Sequence, residues 1–156
     1  MLSHEEIMRK AVRLSIENID MGGGPFAAVI ARNGEIIASG VNTVADDNDP
    51  TAHAEVNAIR AATSKLKRFH LEDCILYTTC EPCPMCLGAV YWAGLPEIYY
   101  GNSREDAALY GFKDEHIYKE LGRSLHERQL SFKRILGSEA IEAFKRWDQK
   151  SDKIQY

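Results

Sequence analysis

Two short segments of this 156-residue chain carry side chains that could do chemistry together. One is His53-Ala54-Glu55. The other is Thr79-Cys80-Glu81-Pro82-Cys83-Pro84-Met85-Cys86. Between them they offer an imidazole, two thiols one helical turn apart, and a carboxylate that need not bind metal. Imidazole plus two thiolates is one ligand short of the tetrahedral set that closes a structural zinc site, whereas catalytic zinc keeps a position open for water. The donor count therefore leans toward hydrolysis. Zinc lowers the pKa of its water, and a carboxylate beside it can take the proton and hand it on to a substrate.

That reading needs both segments at helix starts. His53 and Glu55 lie two apart and do not share a face inside a helix, so both can reach one point only from the first turn. Asp49-Pro50 predicts such a start, since Asp caps helices well and Pro suits the first turn. Ala54, Ala58, Ala61 and Ala62 then favour helix to about Leu66. In the second segment Pro82 disfavours helix at Glu81. This leaves Cys83 near the N-cap, Pro84 in the first turn and Cys86 one turn along. The positive end of a helix dipole favours thiolate over thiol.

The remaining elements form the scaffold. Ser3 and Glu6 fit a capping box, and Ile7, Ala11, Leu14 and Asn18 step at helical spacing to about Asp20. Gly22-Gly23-Gly24-Pro25 ends that helix and reads as a flexible turn; it lacks the Lys-Ser/Thr of a phosphate loop. Residues 26–32 and 35–41 are β-rich runs around Asn33-Gly34, a strong hairpin signal. Residues 44–49 read as a polar loop, 74–79 as a buried strand, 86–93 as a helix and 97–101 as a strand. Residues 107–112 suggest a short helix, 132–136 a last strand, and 138–147 a capped amphipathic helix with Ile141 and Phe144 on its apolar face, before a polar tail. The alternation implies one α/β domain, residues 1–156, with a mixed sheet flanked by helices.

Composition narrows the function classes. The chain is 45% hydrophobic and 27% charged, ordinary for a globular protein. A net charge of −4 argues against an extended nucleic-acid footprint. No apolar run approaches the roughly 20 residues of a membrane helix, and the acidic N-terminus is unlike a signal peptide, so a cytoplasmic location is expected. The four cysteines, Cys74, Cys80, Cys83 and Cys86, cluster too tightly for a disulfide scaffold and suggest metal or redox chemistry. Two alternatives remain at this level: a Cys83/Cys86 redox dithiol, and an interaction module stapled by four-ligand zinc with Cys74 or Cys80 as the extra ligand.

The combination His-x-Glu with Pro-Cys-x-x-Cys is the nucleobase-deaminase signature. With HAE at 53–55 and PCPMC at 82–86, the chain resembles the cytidine-deaminase-like zinc hydrolases. The resemblance implies a three-layer α/β/α sandwich around a five-stranded mixed sheet. It also implies one Zn2+ per chain on His53, Cys83 and Cys86, and proton shuttling by Glu55. The runs DPTAHAEVNAIR at 49–60, CILYTTCEPCPMCLGAVYWA at 74–93 and GFKDEHIYKE at 111–120 resemble the bacterial guanine deaminase branch of that family. That branch implies that Asn42 reads the purine edge, Phe26 and Trp92 wall the pocket, Asp114 is a second catalytic acid, and Tyr156 is a lid residue. It further implies a homodimer in which the 138–156 helix and tail are exchanged. The substrate would be a small purine, with no nucleic acid and no membrane as partner. Guanosine, ammeline-like amino-triazines, cytosine and tRNA adenosine are the alternative substrates; the acidic balance disfavours the last.

Overall fold

The computed structural model describes residues 1–156. Helix α1, His4–Asp20, starts at Ser3 with both bonds of a capping box to Glu6. Strands β1, Ala27–Arg32, and β2, Glu35–Val41, form the expected hairpin. Its turn puts Asn33 at φ 51° and Gly34 at φ 74°, the positive values that a two-residue type I′ turn requires. There follow α2, Val44–Asp47; α3, Ala54–Leu66; β3, Ile75–Cys80; α4, Pro84–Trp92; β4, Glu97–Asn102; α5, Arg104–Leu109; α6, Glu115–Leu121; and α7, Gly137–Gln149.

The strand order is β2-β1-β3-β4. β1 runs antiparallel to both β2 and β3, and β3 runs parallel to β4. β1 lies inside the sheet and is apolar on both faces. Ala28 and Ile30 join Leu76 of β3, Ala54, Ala58 and Ala62 of α3, and Val90 of α4 in one core cluster. Val29, Ala31 and Tyr77 point the other way, onto Ile7 and Ala11 of α1. The result is three layers, with α1 on one face and α3 and α4 on the other. The chain divides into two compact units, Met1–Glu115 and His116–Tyr156. The three-layer sandwich belongs to the first. The second holds α7 and has no buried residue in that helix; Ile141 and Phe144 are exposed.

Several expectations are corrected. The sheet has four strands rather than five. Residues 132–136 pair with no strand; Leu136 sits at φ 52°, outside the β region, as the residue from which α7 departs. Asp49-Pro50 does not open a helix, because the Asp49 carboxylate accepts from the backbone and hydroxyl of Thr51, building a turn instead. α3 begins later, with His53 itself as N-cap. α2 occupies part of the expected loop, α6 was not anticipated, and α5 starts three residues before the expected helix because Ser103 and Asp106 form a second capping box.

β2 approaches α3 so closely at Gly40 that a Cβ there would lie 2.4 Å from the Ala54 carbonyl and 2.4 Å from the Ala58 nitrogen. Backbone cannot yield as a side chain can. Gly40→Ala is expected to cost about 3 kcal/mol by overpacking. Gly88→Ala, in α4 with nothing within 4 Å of the added atom, should leave stability unchanged or raise it, by up to about 1 kcal/mol. Denaturant unfolding of both variants checks the pair, and equal stability of Gly40→Ala and the parent would refute the close approach.

Candidate active site

His53 is the extended N-cap of α3, and Cys83 is the extended N-cap of α4, with Pro84 opening the helix behind it. Cys86 follows in the first turn, and its N–H points at the Cys83 sulfur, 3.5 Å away. His53 Nδ1 lies 3.6 Å from Cys83 Sγ and 3.5 Å from Cys86 Sγ. The three ligand atoms all fall within 4.8 Å of one another. Tetrahedral zinc with ordinary Zn–N and Zn–S bonds requires an N···S separation of about 3.6 Å. The two N···S distances thus suit a tetrahedral zinc ion.

The other two cysteines stand apart from this group. Cys80 donates toward the Ser103 carbonyl at 3.7 Å, and Cys74 lies against Asp73 and Arg68. All four thiols are free. A three-ligand set with no fourth protein donor matches the open site of catalytic zinc rather than the closed site of a structural staple.

Without metal the cluster holds an uneven charge. Hydrogen bonds from the Cys86 side chain, from His53 and from the Cys86 N–H push the Cys83 thiol down to about 4. Cys86 is pushed up by its contact with Cys83 and by burial, and His53 is raised by its bond to Cys83. The thiolate form is thus favoured at Cys83, at a helix N-terminus, and the protonated forms at Cys86 and His53 beside it. A dication would displace those protons, as metal binding to thiolate and imidazole does generally.

Glu55 follows His53 by two residues in the first turn of α3 and is only 7% exposed. The Thr78 hydroxyl of β3 donates to its Oε1 at 3.2 Å. Burial lifts its carboxyl above the usual range, opposed by its own backbone N–H. Asp114 is half-buried; burial raises its carboxyl, the Cys83 charge adds to this, and Arg104 opposes it. Burial, together with the charges of Glu55 and Asp114, pushes the Cys80 thiol up to about 11. Glu55, Asp114 and Cys83 thus share one electrostatic neighbourhood. It can favour a dication and can hold or release a proton at Glu55.

Phe26 and Asn42 are joined across the mouth of the hairpin, where the Asn42 N–H donates to the Phe26 carbonyl at 3.1 Å. The Phe26 ring meets Phe112 edge-on at 4.8 Å. Asn42 Oδ1 accepts from the Val44 N–H at 3.3 Å. Trp92 lies elsewhere: it is 71% exposed at the C-terminal end of α4, opposite the thiols. Tyr156 is exposed in the second unit, its ring edge-on to Trp147 at 6.5 Å.

Three residues of structural importance escaped the sequence reading. Thr78 is a hydroxyl inside an apolar strand, a polar interruption that could have been weighed. Asn57 stands four residues after His53, and its amide donates to the Val41 carbonyl, the Thr43 hydroxyl and the Ala52 carbonyl, pinning the Asn42 loop to α3. Arg104 pairs with Glu81 at 3.1 Å and tethers the thiol loop to the start of α5.

Residues 1–102 match the family model for the cytidine and deoxycytidylate deaminase zinc-binding region. Guanine deaminase of Bacillus subtilis is 47% identical over 99% of this chain and all of its own. Its crystal structure superposes with a TM-score of 0.96 over 99% of both chains. A guanine deaminase from Nitrosomonas europaea, 34% identical, gives a TM-score of 0.71 over 73% of this chain and 66% of its own. The tRNA-specific adenosine deaminase of Aquifex aeolicus is 36% identical over 64% of this chain and 66% of its own.

Purified chain is expected to carry about one zinc. Cys86→Ala should fall below about a tenth of that occupancy by elemental analysis, while Cys80→Ala should keep it. Loss of zinc from Cys80→Ala would instead indicate a four-ligand staple.

Proposed function

The chain belongs to the cytidine and deoxycytidylate deaminase zinc-binding family, and from that membership we propose that it hydrolyses guanine to xanthine and ammonia. The observation that carries the substrate is the likeness to the Bacillus guanine deaminase, which runs through the whole chain rather than stopping at the metal motif shared by every branch. When bound by His53, Cys83 and Cys86, zinc supplies the Lewis acidity that makes water a nucleophile near neutral pH.

The residues of the chain then divide the work. Glu55 takes the proton of the attacking water and delivers it to N3 as oxygen adds to C2. It next takes the remaining proton of the added hydroxyl and supplies it to the 2-amine, so that the C2–N bond breaks, ammonia leaves and the C2 oxygen becomes the carbonyl. Its burial suits it to hold a proton between those steps, while the bond donated by Thr78 steadies the carboxylate once the proton is passed on. The Asn42 amide, with both a donor and an acceptor, reads the purine edge. Phe26 is one wall of the pocket, and Asp114 accepts from the 2-amino and N1 positions and assists the departing ammonia. Trp92 and Tyr156 complete the pocket in a homodimer whose 138–156 segment is exchanged; the exposed Ile141, Phe144 and Tyr156 support that part of the reading. No helix is long and apolar enough to cross a membrane, and four free thiols fit a reducing cytoplasm.

Ammonia release from guanine, guanosine, ammeline, cytosine, adenosine and a tRNA anticodon stem tests the substrate. Guanine should be turned over best. Glu55→Gln should keep its zinc and lose about a thousandfold in kcat. Turnover of another member of the panel with silence on guanine would discard the pocket assignments, and a Glu55→Gln rate near the parent's would remove the shuttle role.

A further inference from the structure

We propose that Asn18 is a positioning residue for substrate recognition, its buried amide setting the placement of Phe26 and Asn42. The proposal rests on the reading above, in which those two side chains contact the purine.

Asn18 lies in the last turn of α1 and is 6% exposed, although α1 ends at the surface on either side of it. A buried amide is costly unless its hydrogens are bonded. Both are: Nδ2 donates to the Gly24 carbonyl at 2.8 Å and to the Asn42 carbonyl at 2.9 Å. The two acceptors belong to different segments, one entering β1 and one leaving β2. The Gly23 N–H closes the arrangement by donating to the Asn18 backbone carbonyl at 2.8 Å. The Asn42 N–H bonds across to the Phe26 carbonyl, and within the segment entering β1 the Phe26 N–H bonds to the Gly24 carbonyl at 2.9 Å. Asn42 is thus held from both of its backbone groups, by Phe26 on one side and by Asn18 on the other.

The glycines show how tightly the amide is seated. A Cβ on Gly23 would lie 2.3 Å from Asn18 Nδ2 and 2.7 Å from Oδ1. A Cβ on Gly24 would lie 3.1 Å from Asn42 Oδ1. Gly23 and Gly24 therefore form a packed surface shaped around two asparagine side chains, whereas Gly22, at φ 93°, has open space around it. The expectation of a merely flexible turn is corrected accordingly. Replacing the amide removes the bridge between the two segments while leaving His53, Glu55, Cys83 and Cys86 without a changed contact.

The test uses zinc-loaded full-length protein and steady-state kinetics with guanine. Asn18→Ala removes the donors, Asn18→Asp points oxygen at two carbonyls, and Gly23→Ala evicts the amide without altering Asn18. Each is expected to raise KM about tenfold with kcat within about threefold, the signature of lost ground-state placement. Zinc content should stay at the parent value. In an Asn42→Ala background, Asn18→Ala should raise KM by clearly less than its effect in the parent, to about threefold, because the part that runs through Asn42 is already lost and only the Phe26 part remains. A general loss of stability would instead lower active concentration and leave KM alone. The proposal is overturned if Asn42→Ala raises KM while Asn18→Ala and Gly23→Ala do not, or if the Asn18 and Asn42 effects multiply fully. A parent-like KM in Asn42→Ala overturns the reading of Asn42 itself, and this proposal with it. Should Asn18→Ala fail to fold, Gly23→Ala carries the same comparison.

Discussion

Helix α3 rests on strand β2 backbone against backbone, at the one residue of β2 that has no side chain to keep them apart. The other half of that contact is the row Ala54, Ala58 and Ala62, the smallest side chains that still favour helix, all fully buried. This fit fixes the axis of α3 and, with it, where the N-cap His53 projects. α4 packs into the same core cluster through Val90 and Ala93, so its N-cap Cys83 is set by the same sheet face. Chain direction does the rest. The thiols follow directly from the carboxyl end of β3, and Asn42 follows from that of β2. A crevice outside strand carboxyl ends is where open α/β sheets place ligands. Here the packing converts two helix starts into a single ligand set with N···S distances that already suit a tetrahedral ion.

The same two helix starts separate the acids electrostatically. Cys83 has hydrogen-bond donors aimed at its sulfur and is driven toward thiolate, while Glu55, a short distance away but deeper, is driven toward the protonated form by burial. Groups pushed in opposite directions in one pocket mark a division of roles, one to bear charge steadily and one to exchange a proton. Burying a carboxylate without help would be prohibitive. Thr78 supplies one bond of the kind worth about 2 kcal/mol when the acceptor is charged, and the α3 N–H groups supply a favourable field.

What could be read in advance follows from how local each feature is. The capping box at Ser3, the Asn33-Gly34 hairpin and the Pro-Cys-Pro helix start are each decided within about four residues. The structure has them where the residues place them. The metal set was legible for the same reason, since each half is one helix turn. Misreadings arose where a local signal had a rival. Asp49 can cap a helix or close an Asx turn, and Thr51 two residues on, with both a backbone and a hydroxyl donor, decides for the turn. Residues 132–136 have the composition of a strand, but a strand exists only with a partner, and none pairs there.

Residues that would choose the substrate are harder to read because no short segment contains them. Phe26 opens β1, Asn42 leaves β2 and Asp114 precedes α6, so their relative placement is a property of the sheet and its ties rather than of spacing. Those ties are polar side chains reaching across long sequence separations. Asn57 holds the Val41 carbonyl, Asn18 holds the Asn42 carbonyl, and Arg104 holds Glu81. Each looks unremarkable in its own segment, an amide on a helix or a charge at a loop. A metal centre can be shared across a family by preserving two helix starts. The Asn42 loop is held by contacts from elsewhere, and the buried Asn18 and half-buried Asn57 amides do this without bringing charge toward the carboxylate. If Asn42 reads the base as proposed, divergence in substrate among proteins with this centre is expected to run through such tethers as well as through the side chains that touch the base, because moving the carbonyl that positions Asn42 moves its amide.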